Sequence, residues 1–367
     1  MTDHPASPNE AHRIAVAMSG GVDSSVAAAL LVEQGRDVIG IMLRLWSEPG
    51  AERFNRCCTP EAMALARRVA AHLDIPFYVI DIRETFQREI VQFFIDGYAQ
   101  GITPNPCLNC NREIRFGALL EHALAFGATA LATGHYARTY REAGRVRLLR
   151  GVYRTKDQSY ALSMLSQAQL ARARFPVGEY TKPEIRDLAR RFGLPTAERS
   201  ESQDLCFLAG GDYRDFLKRH APEIAAPGEI VDPAGNRIGE HAGLPFYTYG
   251  QRKGLGVHGA EPVYVLEKDR AANRLVVGPR AAVRVDRLTA DRANWMTDRV
   301  PGTGDRVEAQ VRYTGQACPA VVETADEHSF SLVFDEPVHG LTPGQAAVLY
   351  REDEVLGAGI ITTTGGG

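Results

Sequence analysis

The chain has 367 residues, more than the roughly 100–200 that one ordinary hydrophobic core organises, so two or three domains are expected. Hydrophobic residues make up 44% and charged residues 24%, a globular balance that excludes a largely disordered or fibrous chain. The net charge of −3 argues against a globally basic nucleic-acid binder but leaves room for a local basic face, because only charges within about 8–10 Å of a phosphate are felt.

The first thirteen residues, MTDHPASPNEAHR, are polar and lack an apolar stretch, so residues 1–12 are expected to be a tail rather than a secretory signal. Arg13–Met18 reads as a buried strand and Ser24–Gln34 as a helix stopped by Gly35. Within that helix, Val26–Val32 is the longest strictly apolar run, far short of the roughly 18 residues of a membrane helix. A second strand spans Val38–Leu45, a helix opens at Thr59-Pro60 and runs through Leu73, and Phe77–Asp81 is a third strand. Glu84–Gln100 and Phe116–Phe126 read as helices and Ala130–His135 as a fourth strand. This alternation predicts an α/β domain over residues 13–210, with a Rossmann-like parallel sheet covered by helices. From about Tyr213, Pro and Gly punctuate short β-rich runs at Gly228–Val231, Pro245–Tyr249, Val263–Leu266 and Arg274–Val277, a small central β-rich domain over 211–280. Alternation in Asp305–Tyr313, Ala320–Thr324 and Ser329–Phe334 predicts an antiparallel β-barrel over 281–367, with the final TTTGGG frayed.

Ser19-Gly20-Gly21-Val22-Asp23-Ser24-Ser25 joins the first strand to the first helix. Backbone N–H groups converge there on a helix N-terminus whose partial positive charge favours an anion. The glycines allow close approach to an oxyanion, the serines add hydroxyls, and Asp23 is suited to Mg²⁺. No lysine follows the glycines, so this is not the GxxxxGK[ST] loop; a serine-capped turn is the plainer alternative. Gly254–Gly259 spells GxGxxG, but a strand rather than a helix follows it, so a dinucleotide site is rejected.

Cys107 and Cys110 follow two prolines, with helix expected from about Asn111, near whose positive end thiolate is favoured. A single CxxC leaves open a redox pair, half a metal site, or the surroundings of a nucleophile. Cys206 stands in Glu201–Phe207, Cys57 and Cys58 are adjacent, and Cys318 is alone. With no second CxxC, a four-cysteine zinc site is not expected, and Cys57, Cys58 and Cys318 read as small apolar packing residues.

The strand–SGGxDS–helix loop resembles the pyrophosphatase loop (PP-loop) of enzymes that split ATP to adenylate an oxygen, a loop shared by several substrates. The ordered set SGGVDSS, NPCLNCN, ATGHYAR (Ala132–Arg138), KDQSY (Lys156–Tyr160), ESQDLCF, GQRKGLG (Gly250–Gly256) and the late RY and PGQ resembles the tRNA-specific 2-thiouridylases, from roughly Arg13 to Tyr350. The resemblance implies a tRNA-uridine 2-sulfurtransferase acting at C2 of the wobble uridine, with ATP and Mg²⁺ as its cofactors. It puts ATP against Ala17, Met18, Ser19, Gly20, Gly21, Val22, Asp23 and Ser24, with Leu43 beside the adenine and Gly134 against the nucleotide. It makes Cys206 the persulfide carrier, charged by a sulfur-donor protein, and Cys110 the second catalytic cysteine, the two ending as a disulfide. It assigns the tRNA anticodon stem-loop to Asn105, Pro106, Cys107, His135, Lys156, Asp157, Gln158, Arg312, Tyr313 and Gln345. A basic face is expected from Arg147, Arg150, Lys156, Arg252, Lys253 and Arg312.

Many members of that family carry Asp where this chain has Cys107, which would make the thiol a proton shuttle, a spare nucleophile, or with Cys110 and Cys206 a ligand of an iron–sulfur cluster. The persulfide reading is preferred to the cluster. Another adenylating ligase of the same loop class is the alternative enzyme, and a non-catalytic nucleic-acid binder or sulfur carrier the alternative of another class. The expected protein is a cytoplasmic monomer with reduced thiols and no membrane attachment.

Overall fold

The computed structural model describes residues 13–48, 50, 59–199, 205–208, 210–257 and 261–365. The readings on the 1–12 tail, Cys57, Cys58 and Glu201–Asp204 therefore lie outside the described residues.

Strand β1 (Ile14–Ala17) enters the glycine loop and then helix α1 (Val22–Glu33), which Gly35 ends in the left-handed region at φ +71°. β2 (Val38–Arg44) leads to α2 (Pro60–His72), where Thr59 caps the Ala62 N–H at 3.1 Å and Pro60 fills the first turn. β3 (Phe77–Asp81) is followed by α3, continuous through Arg83–Phe86, Gln87–Gln92 and Phe93–Ala99, and by α4, continuous through Pro106–Asn109, Cys110–Leu119 and Leu120–Ala125. The middle stretch of each has the wider π-helical hydrogen bonding. β4 (Ala130–Ala132) then returns to the sheet, and β5 (Ala137–Glu142) and β6 (Arg145–Arg150) form a hairpin. β7 (Ala173–Arg174) completes a parallel sheet of order β3-β2-β1-β4-β7, and α5 (Lys182–Arg191) packs on α1.

Helix α6 (Tyr213–His220) opens the central module, whose sheet β10-β11-β8-β9 joins β8 (Gly228–Val231), β9 (Arg237–His241), β10 (Tyr264–Asp269) and β11 (Arg274–Gly278). The last module contains β12 (Arg284–Trp295), β13 (Arg306–Gln310), β14 (Cys318–Ala325), β15 (Ser329–His339), β16 (Ala346–Arg351) and β17 (Glu354–Gly365). Their order β12-β15-β14-β13-β16-β17 closes through a β12–β17 pairing into an antiparallel barrel. The expected fold class is therefore the one observed: a parallel α/β domain, a small β-rich module, and a closed barrel.

Several local expectations are corrected. Helix α4 starts at Pro106 rather than near Asn111, because Asn105 caps it and Pro106 is preorganised for a first helical position. Pro245–Tyr249 contains a helical turn at Leu244–Phe246 instead of a strand; Pro245 has no N–H to give a ladder, and Leu244, Phe246 and Tyr247 are buried as plugs. The tail is not frayed as far as Gly365, since Thr363, Thr364 and Gly365 pair with Thr289, Leu288 and Arg287 and close the barrel. The β5–β6 hairpin, which carries Arg147 and Arg150 of the expected basic face, extends the barrel sheet beside β17.

That extension fuses the modules. Phe116, Leu119, Tyr160 and Leu162 share one apolar cluster with Met296, Val348, Tyr350 and Ala358 of the barrel. Phe86 and Phe94 of α3 share another with Phe207, Phe216 and Leu275. Tyr350 is fully buried, lies under the Arg150 guanidinium at 3.6 Å, and its hydroxyl is 3.2 Å from Ser159 Oγ. We expect Tyr350→Ala to lower stability by about 3–5 kcal/mol. Helical ellipticity and barrel tryptophan fluorescence should still be lost in one transition, measured together during urea denaturation; two separated transitions would contradict a shared core.

Candidate nucleotide and thiol site

The sheet reverses its strand order at β1, with β2 on one side and β4 on the other, and α/β sheets bind ligands in the crevice beyond such a point. The glycine loop lies there. Gly20 has φ +69°, and a Cβ on it would fall 2.5 Å from the Ala62 carbonyl oxygen. Gly21 is the N-cap and has no side chain with which to cap, so the opening of α1 gains no side-chain cap hydrogen bond. The serines brace the loop: Ser24 Oγ accepts from Ser19 N–H at 3.3 Å and donates to Gly21 O at 3.2 Å, and Ser25 Oγ donates to Gly21 O at 2.8 Å. Gly134 packs directly on the loop. A Cβ there would lie 2.7 Å from Ser24 N, so its smallness lets the chain leaving β4 pack on the loop backbone itself.

Asp23 points inward. Its carboxylate accepts from Lys182 Nζ at 2.7 and 2.9 Å and from Tyr136 Oη at 2.8 Å. Lys182, in the first turn of α5, is only 7% exposed, and Arg199 donates to Gly20 O at 2.6 Å. Sequence reasoning missed Lys182, Tyr136 and Arg199 as site residues; Lys182 stands in a TKPE capping box that reads as an ordinary helix start. Of the remaining expected nucleotide residues, Ala17 and Leu43 lie at the C-terminal ends of β1 and β2. Met18 and Val22 turn buried side chains into the core, Met18 onto Gly40.

Asn105 Oδ1 accepts from the N–H groups of Cys107 at 3.2 Å and Leu108 at 3.4 Å. Cys107 is thus in the first turn of α4, exposed, with half-buried Cys110 one turn further on. Cys206 opens the short turn Cys206–Leu208, and both Cys110 and Cys206 pack against the aromatic cluster of Phe86, Phe94, Phe207 and Phe216. None of the three is in a disulfide. Among the described residues no group of three His, Cys, Asp or Glu side chains is placed to hold a metal ion.

The barrel supplies the far wall. Gln345 Nε2 donates to Thr103 O at 2.8 Å and its Oε1 accepts from Asn105 Nδ2 at 3.4 Å. Gln158 Oε1 accepts from Tyr136 N–H at 3.0 Å, and its Nε2 reaches the Tyr313 hydroxyl at 3.5 Å. Asp157 is a turn brace, accepting from Gly151 N–H, Ser159 N–H and Ser159 Oγ, and Lys156 ends the turn before it. Tyr313 is 46% exposed; partial burial raises its pKa, Cys107 and Asp157 push the same way, and Gln158 and Lys156 oppose them. Asn105, Pro106, Cys107, Gln158, Tyr313 and Gln345 are therefore brought to one seam between α4 and the barrel.

His135 is not on that surface. It is 6% exposed, 2.7 Å from Thr133 Oγ1 and flanked by Phe116 and Phe175, and burial, then Arg115, hold its pKa well below the usual value. The expected basic face is corrected in part: Arg147 is almost buried among Glu142, Asp298 and Glu354, and Arg150 lies on Tyr350 with Glu308 at 3.7 Å. Neither offers a free charge, because the β5–β6 hairpin carries them into the barrel seam.

We expect Lys182→Met to cost about 1–3 kcal/mol, since it leaves the Asp23 carboxylate without its cation. Adding Asp23→Asn should return part of that loss, a coupling of about 1 kcal/mol or more in a urea double-mutant cycle; additive losses would show the pair to be inert.

A family model described as "tRNA methyl transferase HUP domain" matches residues 12–210. One described as "tRNA methyl transferase PRC-barrel domain" matches 214–279, and one described as "Aminomethyltransferase beta-barrel domain" matches 285–361. The chain is 50% identical over 351 residues to a tRNA-specific 2-thiouridylase MnmA of Chloroflexus aurantiacus, covering 95% of this chain and 98% of that protein. It is 46% identical over 355 residues to the protein of the same name from Carboxydothermus hydrogenoformans, covering 95% and 97%. The solved U34-tRNA thiolase NcsA from Methanococcus maripaludis is 18% identical, is matched over 58% of this chain and 69% of its own, and has a TM-score of 0.36. On the identity and coverage of its curated relatives, the chain belongs to the tRNA-specific 2-thiouridylase family.

Proposed function

We propose that the protein replaces the C2 oxygen of the wobble uridine of tRNA with sulfur, using ATP. The observation that carries this reading is the relation to the 2-thiouridylases over nearly the whole chain, with an adenylating loop and two thiols on one shared core within it. The C2 oxygen is a poor leaving group on an amide-like carbon. Its attack on the α-phosphorus of ATP releases pyrophosphate and turns it into the oxygen of AMP, a good leaving group. The braced serines, glycine backbone and open end of α1 suit a departing pyrophosphate. Asp23 is engaged by Lys182 and Tyr136, so Mg²⁺ would arrive with the nucleotide and reach Asp23 only in exchange for Lys182.

In the sulfur step the terminal sulfur of a Cys206 persulfide attacks C2 and AMP leaves with the former C2 oxygen. Cys110 thiolate then attacks Cys206 Sγ, the S–S bond to the RNA breaks, thiouridine departs, and a Cys110–Cys206 disulfide remains for an external thiol to reduce. A sulfur-donor protein recharges Cys206. The methyl transfer named in the family-model descriptions has no use for an adenylating loop. All the groups invoked come from one chain, which suits a monomer, and among the described residues no helix is long and apolar enough to cross a membrane, in keeping with a cytoplasmic enzyme.

Mass spectrometry of tRNA nucleosides after incubation with ATP, Mg²⁺ and a persulfide as sulfur source should show 2-thiouridine; its absence, with pyrophosphate released, would favour another adenylating ligase. Asp23→Ala should abolish pyrophosphate release and leave tRNA affinity nearly unchanged, by filter binding. Cys206→Ser and Cys110→Ser should each stop thiolation while adenylation continues. Cys107→Ser should be milder and the anaerobic protein iron-free; stoichiometric iron lost in Cys107→Ser would replace the persulfide with a cluster.

A further inference from the structure

Around the β5–β6 hairpin the arginines are matched by carboxylates: Arg138 and Arg154 share Asp353, and Arg145 and Arg147 share Asp298. The seam between the central module and the barrel differs. Arg280 lies in the turn entering β12, Arg284 is the first residue of β12, and Arg284 pairs across the sheet with His339 at the end of β15. The Arg312 guanidinium donates to the carbonyl oxygens of His339, at 3.1 Å, and Gly340. Gly340 has φ +66°, and any Cβ there would collide with that guanidinium. Gly250, at φ +76°, backs onto the same point: its Cβ would fall 3.2 Å from Gly340 Cα and 3.4 Å from Val283 Cγ1. The loop carrying Arg252 and Lys253 therefore leaves beside Arg312.

All six side chains are exposed, and among the described residues none of the arginines nor Lys253 forms an ion pair. Asp335, further back on β15, is taken by Arg306, and Asp286 and Glu336 are the carboxylates nearest in the chain. Slight burial, then the charges of Arg280, Arg284 and Arg312, lower the His339 pKa, confirming that these cations surround one point. Arg312 adjoins Tyr313 in the chain, and the Tyr313 hydroxyl is reached by Gln158 Nε2 at 3.5 Å.

We propose that Arg252, Lys253, Arg280, Arg284, Arg312 and His339 form a phosphate-binding surface that holds the sugar–phosphate backbone of the RNA where it leaves the site at Tyr313. This rests on the thiolation reading, which makes a polyanion the substrate; on an overall acidic chain, unmatched cations continuous with the site are suited to that backbone.

The test compares full-length tRNA binding by the wild type, Arg280→Glu/Arg284→Glu, and a charge-matched control, Arg67→Glu/Arg68→Glu on exposed α2 positions, each with a thermal melt. The patch variant should bind about tenfold or more weakly at roughly 0.1 M salt, and its log K against log salt should flatten by roughly 1.5, the slope of two phosphate contacts. The control should match the wild type. Should the reversal impair folding, Arg280→Gln/Arg284→Gln gives the same flattening with a smaller loss. A wild type that binds no tRNA overturns both this surface and the reading beneath it. A binding wild type with an equal patch variant overturns the surface alone, as does a patch variant that keeps tRNA affinity but loses sulfur uptake from an acidic donor protein.

Discussion

The parallel pairing of β1 with β2 on one side and β4 on the other is the constraint on which the arrangement depends. It opens a crevice at the C-terminal ends of these strands and aims the start of α1 into it. Everything placed there must approach the loop closely, which explains glycine at positions 20 and 134: one is packed by Ala62 O, the other by Ser24 N. The Asp23–Lys182–Tyr136 contacts then tie α1 to α5 and to the segment leaving β4, so the loop is held from three directions.

The barrel is built into the catalytic domain rather than hung from it. The β5–β6 hairpin continues the barrel sheet, Tyr160 donates to Ala346 O at 3.0 Å, and Gln345 holds the turn that precedes the thiol-bearing helix. A barrel fixed in this way puts Tyr313 beside Cys107 without a flexible linker, whose closure would cost ordering entropy at each encounter. The same fusion consumes Arg147 and Arg150 and leaves the unmatched cations at the other seam, between the barrel and the central module.

Cys110 and Cys206 come from distant parts of the chain and meet one aromatic cluster, with Phe207 immediately after Cys206 inserted among Phe86, Phe94 and Phe216. A half-buried thiol against aromatic rings is shielded from bulk oxidants and from water. Exposed Cys107, three residues before Cys110, has no such shelter, which separates the two positions physically.

What the sequence determined by itself is whatever short-range spacing encodes: the strand–glycine loop–helix unit, the Thr59-Pro60 helix start, the Gly35 stop, and the alternating barrel strands. Those signals are local because capping, left-handed glycine and side-chain alternation act within a few residues. The candidate residues were also legible as an ordered set of motifs, since each is a short string. Only the tertiary structure decided their surroundings: that Lys182 faces Asp23, that His135 is buried, that Arg147 and Arg150 are neutralised, and that the Thr363–Gly365 tail closes a barrel. The Lys182, arginine and barrel-closing contacts depend on partners more than 60 residues away, and the burial of His135 on Phe116 and Phe175, 19 and 40 residues away; no local pattern records which distant group a charge, a ring or a strand edge will meet.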